Sequence, residues 1–319
     1  MKTDNRHIII YTIIAIAMLC LTAMPYSSAA QPRVTNLSVT QGLSNDFVND
    51  MAVDGDGFVW VATRNGLNRI TAYGIMDYNT RNSSILNNFI NAVCYDPATN
   101  SIWAATQGGV SIVDCRTSKI KNITSADGLS ENSTINVTKC NDGGMWIVCQ
   151  SNGVQHYDTR HNRFSPEYAW LTKATARRSH DCFDDAHGHL YVGHNYDGMT
   201  VADLKRHTVK TFRHNPADPT SIPNNNVRAI VCDSKLNVWV GTSMGLATFN
   251  PTTGRFQRAT TQNGYAQVGT NIYGMQIVGN KKLLVASNLD GVSTIDLSRT
   301  HPERIPNVSR LKYGSTALH

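Results

Sequence analysis

The sequence predicts an all-β fold, a β-propeller of six recognisable four-stranded blades. Three features carry that prediction: a unit that recurs every 43 to 48 residues, an aromatic-centred strand in the middle of the unit, and a glycine turn directly after it. Composition points the same way. Only 16% of the 319 residues are charged while 41% are hydrophobic and 23 are glycine, which excludes a disordered, collagen-like or coiled-coil chain. Seven cysteines are too few for a disulfide scaffold.

Taken in order, residues 1–30 read as a secretory signal peptide. Lys2 and Arg6 give a positive start, Ile8 to Leu21 is almost wholly apolar, and Ser28-Ala29-Ala30 offers a small-residue cleavage site. The apolar run falls short of the ~20 residues that a spanning helix needs. The expectation is therefore cleavage near Ala30, a periplasmic location and no membrane span in the mature chain. Removing the leader takes the formal charge from +6 to about +5, and with no Lys/Arg run a nucleic-acid partner is not expected.

Residues 31–303 hold the repeats: GFVWVATRNGLNRI, NSIWAATQGGVSIV, GGMWIVCQSNGVQHY, GHLYVGHNYDGMTV, LNVWVGTSMGLATF and KKLLVASNLDGVSTI. Their centres are Trp60, Trp103, Trp146, Tyr191, Trp239 and Leu284, expected to fill the gaps between face-packed sheets. Gly66, Gly109, Gly153, Gly198, Gly245 and Gly291 fall where the second strand reverses into the third, a place for positive φ. In the second unit the strands are predicted at 89–95, 101–106, 110–114 and 119–124. Asp54-Gly55-Asp56-Gly57 is predicted as a hairpin turn, since it lacks the later bidentate acid of a calcium loop.

The segments GLSNDFVNDMAVDGDGFVWVATRNGLNRI and SIPNNNVRAIVCDSKLNVWVGTSMGLATFNPTTGRF resemble the two-component regulator propeller repeat, over about residues 34 to 300. That repeat builds the periplasmic sensor of hybrid two-component systems in gut Bacteroidota. The resemblance implies an input domain that senses complex-carbohydrate fragments, usually as two seven-bladed propellers ahead of a membrane helix, kinase and DNA-binding domain. This sequence resembles the input end alone, so no kinase activity is expected of it. The implied partners are an oligosaccharide or other small ligand, and a homodimer or the missing C-terminal half of the sensor. Family geometry makes an incomplete seven-bladed ring the alternative to closure by six blades. Val34 to Thr40 is the expected closing strand, and residues 304–319 are a C-terminal tail or the start of a truncated seventh blade.

Ligands of propellers sit where the turns between second and third strands and the loops entering each inner strand share one face. The turns offer Arg64, Asn65, Gln107, Gln150, Asn195, Tyr196, Ser243, Asn288 and Asp290; the loops offer Asn45, Asn88, Asn132, His180, Asn226 and Asn271. Amides with an occasional aromatic suit sugar hydroxyls, which need both donors and acceptors; ordinary turn preference for Asn and Ser explains the same residues more plainly. The residues expected to contact ligand are Arg64, Asn65, Asn88, Gln107, Gln150, Asn195, Tyr196, Asn226, Asn271, Asn288 and Asp290. No cofactor is expected. No metal is expected either: His187 and His189 flank one turn while His194 lies roughly 17 Å along the strand at ~3.3 Å per residue.

A propeller lyase or glycoside hydrolase is a competing reading, with only Asp197, Asp290, His180 and His194 to supply acid and base. A protein-interaction scaffold or inactive gene fragment is another. Cys94, Cys140, Cys182 and Cys232 are read as repeat-equivalent, buried inner-strand residues too far apart to pair.

Overall fold

A computed structural model describes residues 37–259, 268–287, 291–297 and 309–310. It contains six four-stranded antiparallel sheets, each a simple meander, set in a ring as a six-bladed β-propeller. The signal-peptide reading and the sites at Asn288 and Asp290 lie outside the described residues. None of the described helices is long and apolar enough to cross a membrane.

The innermost strands are Val48–Val53, Ile90–Asp96, Thr134–Lys139, Ser179–Asp184, Val227–Cys232 and Ile272–Val278. Each touches the inner strand of the next blade from blade one to blade six. In blade two the remaining strands are Ser101–Thr106, Gly109–Asp114 and Ile120–Ile123, within a residue or so of their predicted bounds. All six turn glycines adopt positive φ, between 71° and 135°.

The repeated aromatics are core residues. Trp60, Trp103, Trp146, Tyr191 and Trp239 are all buried. At the lower hairpin an aspartate anchors two of them: Asp54 accepts the Trp60 Nε1 proton at 2.8 Å and the backbone N–H groups of Asp56 and Phe58, and Asp233 accepts from Trp239 Nε1 at 3.2 Å. The Asp54 stretch is thus a hairpin turn whose carboxylate is already engaged, in addition, by Arg69 at 3.1 Å.

Five apolar clusters join successive blades. The face of each inner strand that looks back at the preceding blade carries Val93, Val137, Cys182, Ile230 and Met275 in blades two to six, and all five belong to these clusters or pack against them. The equivalent residue of blade one is Met51, which is 63% exposed, with Val53 beside it also exposed. Among the described residues, nothing covers this face of blade one.

Three local expectations change. Leu37 to Thr40 is not a strand: Ser38 and Gln41 form a capping box that winds Val39–Gln41 into a 3₁₀ turn, so the backbone is curled rather than extended. Ser309–Arg310, expected in the tail or at the start of a seventh blade, pairs with Ser293 and Thr294 as the fourth strand of blade six. The four cysteines are not repeat-equivalent: Cys94 pairs with its blade's aromatic, Cys182 and Cys232 lie one residue to either side of that register, and Cys140 is past the end of its strand. All six cysteines described are free thiols.

Burial on the backward-looking face should set stability. Ile230→Ala is expected to cost about 2–4 kcal/mol through lost burial and a residual cavity. Met51→Ala, at the same repeat position but exposed, should change stability by no more than about 0.5 kcal/mol. Urea unfolding of the two variants checks the contrast.

Candidate functional site

Backbone hydrogen bonds bring the two loop classes onto one face. The turn amides of Arg64, Gln150, Asn195 and Ser243 donate to the carbonyls of Phe47, Ser133, Arg178 and Asn226, each just ahead of its blade's inner strand. The residues that enter the inner strands are therefore Phe47, Ser133, Arg178 and Asn226, and the expected Asn45, Asn132 and His180 are shifted from that register by one or two positions.

The predicted ligand residues do not form one site. Asn65 and Asn88 meet each other at 3.4 Å, but in a pocket of about 230 Å³ shared with Ser44, Asp77, Asn79 and Arg81. Asp77 lies at the end of the outermost strand of blade one and Asn79 just beyond it, so this pair lies away from the axis. Arg64 is stacked on Phe47 and reaches Phe89. Gln150 accepts from the Ser133 hydroxyl at 2.7 Å. Gln107 and Tyr196 are exposed at their turns, and Asn195 is half-buried.

Asn226 and Asn271 are brought together. Ser243 bridges them, donating its N–H to the Asn226 carbonyl and accepting the Asn271 N–H, both at 3.1 Å. The side-chain Oδ1 atoms of Asn226 and Asn271 are both buried without a hydrogen-bond partner.

A feature that sequence reasoning missed places further side chains beside them. Every inner strand breaks register near its upper end, between Val48 and Asp50, Ile90 and Ala92, Thr134 and Asn136, Ser179 and Asp181, Val227 and Ala229, and Ile272 and Gly274. A bulge of this kind re-aims the extra side chain. Here it does so toward the next blade. Asn49 donates to the Ile90 carbonyl and Asn91 to the Thr134 carbonyl, both at 2.7 Å. Arg228 lays its guanidinium 4.3 Å from the centre of the Tyr273 ring. The missed signal was the run of Asn49, Asn91, Arg228 and Tyr273 at the repeat position that His180 occupies in blade four, where strand alternation alone predicts no such chemistry.

The electrostatics of this quarter are basic. Burial and the Arg228 charge hold His180 below its ordinary value, and the Arg228 hydrogen bond and charge lower the Tyr273 phenol. Arg228 Nε is buried with no partner. On blade four Arg177 and Arg213 both pair with Asp197, at 3.0 and 2.9 Å, while burial pushes His194 down to about 4. His194 bonds Ser179 and Thr200, and His189 bonds Asp185, so the two rings serve separate ends of the blade.

Deeper along the inner strands lie two carboxyls. Asp50 accepts the Val93 N–H and Asp181 accepts the Ile230 N–H, each at 2.9 Å and each across a blade junction. Burial raises Asp50 to about 6 and Asp181 to about 7, and the Asp50 charge adds to the rise at Asp181.

With this geometry in hand, comparison with known proteins is informative. Residues 42–65 match the family model described as the two-component regulator propeller. The chain carries that propeller repeat. The extracellular domain assigned to a hybrid two-component system of B. thetaiotaomicron superimposes with a TM-score of 0.73 at 27% identity, over 88% of this chain and 36% of that one. A second such extracellular domain from B. thetaiotaomicron gives 0.66 at 17% identity, over 88% and 38%. This chain thus spans little more than a third of the length of those relatives. Virginiamycin B lyase from Staphylococcus aureus matches at 10% identity with a TM-score of 0.55, a likeness of fold alone. No curated protein sequence matches the chain.

The buried carboxyls have a pH signature. An acid with a raised folded-state pKa contributes fully below its ordinary value of 3.8, and that contribution is lost as pH rises through about 6 for Asp50 and about 7 for Asp181. Asp181→Asn should therefore gain stability relative to the parent as pH rises from about 4 to about 8. Urea unfolding along the pH series reads the difference, and a flat difference contradicts the assignment.

Proposed function

We propose that this propeller is the periplasmic ligand-sensing domain of a hybrid two-component regulator and that it binds a carbohydrate on the rim of blades five and six. The observation that carries the reading is the grouping of unpartnered polar atoms there: the Oδ1 atoms of Asn226 and Asn271 and the Nε of Arg228. A buried polar atom without a partner costs about 1–3 kcal/mol, so a ligand that satisfies it regains that energy on binding. Sugar hydroxyls donate to the two amide oxygens and accept from the guanidinium. The exposed Tyr273 ring, already flanked by Arg228, offers a flat apolar face to a pyranose.

In this reading the domain recognises and does not turn over its ligand. Asp197 and His194, the acid and base of the enzymatic alternative, are respectively held by two arginines and buried. Homodimerisation belongs to the same proposal, as the means by which binding is passed on, and is read as a change in sedimentation on adding ligand.

A thermal-shift screen against oligosaccharides, followed by calorimetry of the hits, tests the site. Arg228→Ala and Tyr273→Ala should each weaken binding by about tenfold or more, equivalent to about 1.4 kcal/mol, with melting of the free protein little changed. Gln107→Ala, on another blade, should leave affinity within about twofold. Release of shortened sugar during the incubation would overturn the sensing assignment in favour of catalysis.

A further inference from the structure

Blade three departs from the other repeats at its lower hairpin. Blade one places Asp54 beneath Trp60 and pairs it with Arg69, the residue across the strand from that tryptophan. At the same two places blade three has Cys140 and His156, the latter paired across the strand with Trp146. The carboxylate has moved two residues along the turn to Asp142. Trp146, with no aspartate of its own blade at that position, gives its Nε1 proton to Asp184 of blade four at 3.1 Å.

This exchange replaces a carboxylate–guanidinium pair with a thiol, a carboxylate and an imidazole. The Cys140 Sγ, an Asp142 carboxylate oxygen and a His156 ring nitrogen all lie within 4.8 Å of one another. His156 Nε2 is 3.2 Å from Asp142, and Cys140 Sγ is 3.2 Å from Asp184 Oδ2. Tetrahedral zinc, with bonds of about 2.0–2.3 Å, sets its ligand atoms about 3.3–3.8 Å apart, so the donors need only small adjustments.

The surroundings also fit. His156 Nδ1 lies 2.7 Å from Ser165 Oγ. With its proton on Nδ1 and donated to that hydroxyl, the imidazole presents the Nε2 lone pair toward Cys140 and Asp142, the arrangement in which histidine binds metals. Rings of Trp146 and Tyr168 pack against His156 and fix its plane. Cys140 and His156 are buried, whereas the Asp142 side chain is 48% exposed and leaves a way in from solvent.

We propose that Cys140, Asp142 and His156 form a three-donor binding site, with a fourth position left to solvent, for a divalent transition-metal ion of the zinc class. The mixed sulfur, nitrogen and oxygen set selects zinc or cobalt over calcium and magnesium, which prefer oxygen alone. On binding, the thiol proton leaves to solvent and the metal takes its place between sulfur and the Asp142 carboxylate. The site lies within blade three, at the opposite end of the blade from the turn at Gln150, and so does not enter the sugar-binding rim.

The test is a Co²⁺ titration of protein first dialysed against a chelator. One cobalt per chain with a thiolate-to-metal charge-transfer band in the near ultraviolet, displaced by Zn²⁺, is the expected result. Cys140→Ser should abolish the band, Cys149→Ser should keep it, and Ser165→Ala should weaken binding by about tenfold. Circular dichroism of each metal-free variant separates loss of the site from loss of the fold. Absence of the band in the parent protein, or its persistence in a folded Cys140→Ser variant, would overturn the proposal and leave the cluster as a hydrogen-bonded substitute for the Asp54–Arg69 pair.

Discussion

Each blade is a sheet too small to bury its own faces, and the whole molecule follows from the need to cover both of them with neighbours. A four-stranded sheet with two apolar faces is stable only when sheets pack against it. Trp60, Trp103, Trp146, Tyr191 and Trp239 meet that need in blades one to five, where blade six has the half-buried Leu284, and the aspartates under Trp60 and Trp239 satisfy the indole N–H that such burial would otherwise strand. Where a face has a neighbour, as at Ile230, the side chain is buried; where the described residues supply none, as at Met51, the same repeat position stays in water.

That stacking leaves each blade's ends free to vary, and the chemistry gathers at those ends. On the upper face every inner strand has a bulge, and in blades one, two and five it turns one side chain toward the next blade. In blades one and two the turned residue is an asparagine that binds its neighbour's backbone, a structural tie. In blades five and six it is Arg228 and Tyr273, which touch each other and stand beside amide oxygens with no partner. One backbone device thus yields a rivet at some junctions and a recognition surface at another. The lower face shows the same economy, with an ion pair in blade one and a thiol–imidazole–carboxylate group in blade three.

The buried carboxyls show how far the junctions constrain charge. Asp50 and Asp181 cap backbone amides across neighbouring blades and are raised toward neutrality because those junctions exclude water. The inner strands of blades one and four consequently carry carboxyls that titrate nearer neutrality than an ordinary aspartate.

Blade number, strand order, turn glycines and the buried aromatics were legible in the sequence, because they depend on a period that the chain repeats six times and on steric rules that act within a few residues. The ligand residues were legible only in part. Asn226 and Asn271 were found from their place in the loops entering the inner strands, whereas Asn65 and Asn88 turned out to bind one another beside the outer strand, and Arg228 and Tyr273 were missed because a bulge shifts alternation by one residue without marking the sequence. Which thiol meets which imidazole was likewise beyond reach, since Cys140 and His156 are far apart along two strands and are joined only when the hairpin closes. Short-range rules determined the blade; the contacts between blade ends, made by residues distant in the chain, were decided by the tertiary structure alone.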